Sequence, residues 1–524
     1  MPQFTATTRY GSIATPHWLA TQAGEAAYLN GGSAIDAALT AAAVLAVVYP
    51  HNTSLGGDCV SLVRKPDGTT TCINATGGAP HSISRGELAT RHHGVLPVTG
   101  PDTITVPGVV RGWQEIGRHG GRLSWADQLA PSIPFAADGV AVAPSVARAL
   151  QLAENNLAAD EGSRRIFFDG GRVLTEGATL VQPELAESLI AISAQGADSF
   201  YSGEVGRALV AGLRRAGSAL SEDDFATFAP EMSDPLSGQY QDVTVLTSPP
   251  NTQGFLLLRF LNLLSPSHAN EALTAGAGDL AHLFDIGNEL RETLLADPLF
   301  EEVDMAALLH GEPLENYQAS PSVLDPRVPK GDTVAIVAAD SDGYAISHVQ
   351  SLFHHFGSAL LEPTTGILMH NRGSSFSLNV ASANRIEPRK RPSHSLMPAM
   401  VLKNKKLAWV NACMGGRAQA QIHVQLLLRQ MAGDSPERTV TEPRFVVGPS
   451  LAGEAGNTVR AEEGLSDTTM QSLVESQLPI AIEARYSERL GHANVIECLP
   501  NGRFRAASDP RSDGAASVVK LPAR

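Results

Sequence analysis

Three short stretches hold residues able to do chemistry. The first, "PKGDTVAIVAADSDGYAIS", runs from Pro329 to Ser347. Val334 to Ala339 is a run of β-branched and small apolar residues, Asp340-Ser341-Asp342-Gly343 is turn chemistry, and Tyr344 to Ser347 starts a return strand. Thr333 therefore opens a strand behind Gly331-Asp332. If the backbone is cut before Thr333, a new α-amine lies beside the threonine's own hydroxyl, giving a nucleophile with a built-in general base. A plain strand-starting threonine would occupy the same position, and taken alone the stretch favours that ordinary reading.

The second stretch, "NACMGGRAQ", places Gly415 and Gly416 between a strand (Leu407 to Ala412) and a helix. Bare backbone N–H groups there can face an oxyanion, or the pair can simply make a tight turn. The third, "RPSHSLMP", packs Arg391, Ser393, His394 and Ser395 between prolines. It can present hydroxyls and an imidazole to a pocket, or be a solvated polar loop. His92-His93 and His354-His355 are adjacent pairs whose members point in different directions, so they are poor metal ligands.

The elements that must position these residues change character along the chain. Residues 16 to 48 read as two helices broken at Gly31-Gly32, the second with Ser33 as N-cap. "VSLVRKPDGTTTCINA" is a hairpin around Pro66-Asp67-Gly68. Val109 to about Leu213 is mainly helical, with Ser124 and Asp127 as a capping signature. "TQGFLLLRFLNLL" is an apolar helix, 278 to 309 is again helical, and 310 to 330 is a polar, Pro-rich linker. After Thr333 strands dominate ("TVAIVAAD", "YAISHVQSL", "TGILMHN", "AMVLKNKKLAWVNAC"), with helices near 418–432 and 466–477.

The 524 residues, 43% hydrophobic and 18% charged, are ample for a core. A formal net charge of -15 excludes binding to nucleic acid or an anionic membrane by bulk charge, so an anionic substrate needs a local cation. Cys59, Cys72, Cys413 and Cys498 lack metal spacing and read as small buried hydrophobes in a reducing compartment. "MPQFTATTRYGSIATPHW" has no signal-peptide pattern, which points to the cytoplasm.

Taken in order, "GGSAIDAALTAAAVLAVVYPHNTSLGGD", "TVPGVVRGW", "APSIPFAADGVAV", "SFYSGEVG", "LTSPPNTQG", the Thr333 hairpin with "FGSALLEPTTGILMHNRGSSFSL", "RPSHSLMPAMVL", "NACMGGRAQ" and "AASDPRSDGAA" resemble the γ-glutamyltransferase family of N-terminal nucleophile hydrolases. The resemblance covers nearly the whole chain. It implies a four-layer αββα sandwich and self-cleavage between Asp332 and Thr333. The products are a helix-rich large segment, 1–332, and a small segment, 333–524, that stay together as one body. It makes Thr333 the nucleophile, Ser351 the second hydroxyl, and Gly415 and Gly416 the oxyanion donors. No metal or organic cofactor is implied.

The departures bear on substrate. The family's glutamate-binding arginine position holds Thr76, its amine-binding carboxylate position holds Ser375, a nearby asparagine becomes Phe353, and one loop serine becomes His394 beside Ser395. This pattern is similar to the acylase-like and oxamate-amidohydrolase-like branch, which includes proteins labelled cephalosporin acylases. Arg372 and Arg417 become the cationic candidates for an anionic small-molecule amide. The alternatives are a γ-glutamyl transferase or glutathione hydrolase with another clamp, and an unprocessed, non-catalytic binding protein.

Overall fold

The computed structural model describes residues 9–269, 271–310, 332–449 and 454–522. Strands from both ends of the chain meet in a seven-stranded antiparallel sheet. Its order is Ala515–Lys520, Tyr10–Thr15, Asp332–Asp340, Ala345–Phe353, Asp58–Arg64, Thr70–Ala75 and Glu231–Ser233. A six-stranded antiparallel sheet runs Phe504–Ser508, His492–Cys498, Lys406–Met414, Ala399–Lys403, Val243–Thr247 and Leu236–Tyr240.

The period of two in "TVAIVAAD" explains how the layers stack. Ala335, Val337 and Ala339 point between the sheets, against Leu246, Met400, Val410 and Ala412 of the other sheet. Val334, Ile336 and Ala338 point outward, into a core built with helices Trp18–Leu29 and Ala34–Val48. Helices Phe255–Leu263, Ala277–Leu294 and Gln419–Met431 cover the outer face of the second sheet. The result is the expected helix–sheet–sheet–helix stack. Ser347 ties the sheets directly: its hydroxyl donates to Asn411 O (2.7 Å) and accepts Ala399 N–H (3.2 Å).

The Ala-rich helix Ala34–Val48 is buried along its whole length. Its small side chains let it lie against both a sheet and Trp18–Leu29. At Gly24 a Cβ would come within 2.3 Å of Ile13 Cδ1 and 2.9 Å of Ala37 O, so only glycine permits that approach. Ser33 and Asp36 form a reciprocal capping box. Among the described residues no helix is long and apolar enough to cross a membrane.

Local expectations met the structure unevenly. The two early helices, the Pro66-Asp67-Gly68 hairpin and the Ser124 cap form as read. The helical stretch expected over 278–309 splits into Ala277–Leu294 and Met305–Leu309. Pro298 accounts for the gap, since it disfavours helix at the residue before it and removes a donor. "TGILMHN" yields only the short strand Ile367–Leu368, and helix Pro436–Thr441 was not anticipated. The linker expected over 310–330 lies, apart from His310, outside the described residues.

Candidate active site

Thr333 sits where the Asp332–Asp340 strand slips register against Ala345–Phe353: Asp332 pairs with Phe353, but Val334 pairs with Gln350. Such a bulge re-aims the side chain at its centre. Thr333 is buried, and its Oγ1 accepts a hydrogen bond from Gln419 Nε2 at 3.4 Å. Gln419 Oε1 takes Met397 N–H (3.1 Å), which fixes the amide with its nitrogen towards Thr333. Ser351 lies opposite the slip, also buried, and its hydroxyl accepts Phe353 N–H at 2.7 Å.

The Gly415-Gly416 turn leaves strand Lys406–Met414 and enters helix Gln419–Met431. Gly415 has φ 157° and Gly416 φ 50°, both in the glycine-favoured half of backbone space. Among the described residues no backbone carbonyl takes either glycine's N–H. The turn is held from behind by Gln253, whose Nε2 donates to Gly416 O (2.8 Å) and to Ser395 O (2.7 Å). Buried Arg291 in turn donates to Gln253 Oε1 (3.2 Å) and Arg417 O (3.0 Å). One glutamine thus couples the glycine turn to the "RPSHSLMP" loop.

Arg372 opens the short turn Arg372–Ser375 and is only 2% exposed. Its guanidinium lies on the Phe353 ring, 3.7 Å from the centroid, and its Nη2 donates to Ser395 Oγ at 3.3 Å. Among the described residues no carboxylate is in ion-pair contact with it. Burial, together with Arg417 and against the pull of Asp58, lowers its pKa to about 9. Arg417 itself lies 3.5 Å from Glu292. Arg391 is taken up by Asp297 (2.7 Å) and by Glu231, so it anchors its loop.

Two of the four positions read as departures, Ser375 and Thr76, spend their hydroxyls on neighbouring groups. Ser375 Oγ donates to Arg372 O (2.8 Å), and Thr76 Oγ1 donates to Asn74 Oδ1 (2.7 Å). Both hydroxyls stabilise loops.

The sequence reading missed a buried carboxylate. Asp58, paired in register with Ser351, is 1% exposed; its Oδ1 accepts Gly108 N–H (3.0 Å). Its Oδ2 faces His370 Nδ1 (3.3 Å) and His394 Nε2 (3.4 Å). Burial opposes the charge on Asp58, but His370 and His394 outweigh it and hold the carboxyl well below its usual range. His394 Nδ1 accepts Leu396 N–H (3.3 Å), so Nε2 carries the hydrogen that points to Asp58. Burial, then Arg372, lowers the His394 pKa to about 3, so it stays neutral. His370 Nε2 donates to Thr105 O at 2.9 Å. His394 was in view in the "RPSHSLMP" loop, but the only signal for Asp58 was the acid ending "SLGGD", which carries no motif by itself. Among the described residues no group of three His, Cys, Asp or Glu side chains could hold a metal ion.

A strand-opening threonine, a glycine turn and an arginine without a carboxylate partner among the described residues are thus linked through Gln419, Gln253 and Ser395. The family model described as gamma-glutamyltranspeptidase matches residues 20–519. The chain belongs to this family. It is 35% identical to the glutathione hydrolase-like YwrD proenzyme of Bacillus subtilis, over 96% of this chain and 97% of that one. It is 33% identical to the oxamate amidohydrolase proenzyme of Klebsiella pneumoniae, over 97% and 98%. Cephalosporin acylase from Bacillus halodurans superposes with a TM-score of 0.88 at 27% identity, covering 99% of this chain and 98% of the other. The four-layer stack is therefore the N-terminal nucleophile hydrolase fold, and the protein is an enzyme of the hydrolase and acyltransferase class that this family comprises.

Proposed function

We propose that the protein is a self-processing threonine amidohydrolase that cleaves a small, carboxylate-bearing amide through an acyl-enzyme. The observation that carries the substrate class is Arg372, a buried guanidinium resting on an aromatic face with no carboxylate in ion-pair contact among the described residues. Burying a cation without a partner is costly, and a substrate carboxylate supplies the missing charge in a bidentate fork. The amidohydrolase and acylase names of the relatives agree with such a substrate.

In this reading cleavage between Asp332 and Thr333 frees the threonine amine and leaves fragments 1–332 and 333–524. Strands from both fragments interleave in the seven-stranded sheet and pair edge to edge in the six-stranded one, Val243–Thr247 against Ala399–Lys403, so the two halves stay together. Thr333 Oγ then attacks the amide carbonyl while its α-amine takes the proton. The Gly415 and Gly416 N–H groups receive the oxyanion, and Ser351 steadies the nucleophile. The amine leaves, and water hydrolyses the ester. Arg372, with help from Ser395 and His394, orients the acyl-side carboxylate, while the Phe353 ring supports the guanidinium. An oxyanion donor of this kind contributes about 3 kcal/mol of transition-state stabilisation. Mass spectrometry of protein mixed with oxamate or a glutaryl amide tests the scheme. The expected adduct is on the fragment beginning Thr-Val-Ala-Ile; an adduct elsewhere, or turnover by an uncleaved chain, refutes it.

A further inference from the structure

Four hairpin turns meet at the end of the sheets away from Thr333. Residues 341–344 and 65–69 come from the seven-stranded sheet, and 404–405 and 499–503 from the six-stranded one. Thr333 and Asp340 lie on one extended strand, so this end is about 23 Å from the nucleophile. Two contacts stitch the turns across the sheets. Ser341 Oγ donates to Gly502 O (3.4 Å), and Arg64 Nη2 donates to Lys405 O (3.2 Å). All four residues line a cavity of about 670 Å³, a size that suits a small ligand.

The floor of the cavity is apolar. Leu407, Cys498 and Phe504 line it and pack against the core between the sheets. Burial, then Glu497, raises the Cys498 pKa to about 12, so the thiol is neutral. Glu497 itself accepts a bond from Arg505 (2.7 Å).

The rim is cationic, in a chain of formal net charge -15. The wall holds six cations, Arg9, Arg64, Lys65, Lys405, Lys406 and Arg503, against three carboxylates. Each carboxylate is engaged. Asp342 is bound by Arg9 (2.8 Å) and Arg122 (2.8 Å), and Asp340 accepts the N–H groups of Ala34 (2.8 Å), Asp342 (2.9 Å) and Tyr344 (3.1 Å). Asp67 accepts Thr69 N–H (2.8 Å) and faces Lys65 and Arg64 at longer range. Among the described residues Lys65, Lys405, Lys406 and Arg503 form no ion pair. Lys405, Lys406 and Arg503 are exposed, and Lys65 is half-buried. A cleft lined by one sign of charge concentrates the opposite ion.

The free cations decide which anion fits. A lone carboxylate is best met by a guanidinium fork. The Arg9 fork holds Asp342, and Arg64 donates to Gly68 O (2.6 Å) and Thr70 Oγ1 (3.0 Å) as well as to Lys405 O. What remains is three ammonium groups from both sheets, with Arg503 over the Tyr10 ring at 5.8 Å. Compact point charges arriving from several directions suit a tetrahedral, multiply charged phosphoryl group.

We propose that this cavity binds a small organic phosphate. Lys65, Lys405, Lys406 and Arg503 hold the phosphoryl group, and a flat apolar body lies on Leu407 and Phe504. The site is separate from Thr333 and does not depend on the substrate assigned there.

Calorimetry on the full protein, with phenyl phosphate, inorganic phosphate and benzyl alcohol as probes, tests the site. Phenyl phosphate is expected to bind once per chain, about tenfold more tightly than inorganic phosphate because its ring is buried. Benzyl alcohol, which lacks the charge, should not bind. Lys406→Glu and Lys65→Glu, on different sheets, should each weaken phenyl phosphate about tenfold, the effect of one charge-assisted hydrogen bond. Arg207→Glu makes the same charge change on the exposed face of helix Glu204–Arg215, outside the wall, and should alter affinity less than about twofold in screening salt. No binding of phenyl phosphate, binding unmoved by both wall variants, or equal weakening by Arg207→Glu overturns the site. Equal affinity for phenyl and inorganic phosphate overturns the role given to the apolar floor.

Discussion

The Arg372 guanidinium lies 3.7 Å from the centre of the Phe353 ring, and Phe353 itself has a φ of 81°. A bulky residue in left-handed backbone is held there by its surroundings at a cost of about 1–3 kcal/mol. The strain sits at the last residue of the strand that carries Ser351. It places an aromatic face under the cation, in a dry setting where such a contact is worth about 2 kcal/mol.

Arg372→Lys is therefore expected to raise KM for anionic amides about tenfold, because a point charge loses both the fork and the stacking. Arg372→Ala should raise it further. Both variants should still self-cleave. Steady-state kinetics and gels on the same preparations check this; loss of cleavage with a lowered Tm would make Arg372 a structural residue.

Thr333→Ala should remain a single chain of 55.1 kDa without activity. The native protein should give bands of about 35 and 20 kDa, the total mass shared in proportion to fragment length. Amino-terminal sequencing of the smaller band should read Thr-Val-Ala-Ile. An active preparation whose chain is intact would sink the assignment.

Gln253→Ala removes the bonds to Gly416 O and Ser395 O at once. The fold should survive, since the helix and sheet cores do not depend on it. The expected result is a fall in kcat of about a hundredfold from a loosened oxyanion turn, the loss seen when such a donor is misplaced. A change in KM alone would place Gln253 on the binding side only.

Turnover of γ-glutamyl anilides should be weak or absent. Thr76 and Ser375 offer neither the cation nor the carboxylate that a free glutamate needs, and their hydroxyls are already committed to Asn74 and Arg372 O. Efficient release of aniline from a γ-glutamyl anilide by the native protein would show that another clamp has replaced the lost one.

The hairpin was legible because it depends on local period and turn chemistry, whereas the layer order was legible only through the family resemblance. Alternation over Val334–Ala339 fixes which residues face which layer, and Asp340 to Gly343 fixes the turn. The paired carboxylate and imidazoles were not legible. Asp58, His370 and His394 lie far apart in sequence and meet only because strand Asp58–Arg64 docks beside Ala345–Phe353. Gln253 was hidden for the same reason: its role depends on two carbonyls more than a hundred residues away. Ser375 and Thr76 could be located from the sequence, but not the direction in which their hydroxyls turn.

Acid should destabilise the protein through its neutral buried imidazoles. An unfolded histidine titrates near 6.5. His394 and His354 in the folded state do so at about 3, chiefly through burial. His17, His348 and His423 are lowered to about 4 for the same reason. Between these values the unfolded chain binds protons that the folded protein refuses, so stability falls as pH drops from about 6.5 towards 4. Each such group contributes about 1.4 kcal/mol per pH unit across that window. Asp58 acts in a different window. Its folded pKa is depressed, so its stabilisation is intact above about 4 and is lost only as pH falls below that. His394→Asn should thus lower stability at pH 7, where Asp58 loses a donor, and yet reduce the pH slope between 6 and 4 by about one proton. Urea unfolding at pH 7, 6, 5 and 4 measures both numbers. An unchanged slope would mean that His394 is protonated in the folded state, with its charge carried by Asp58.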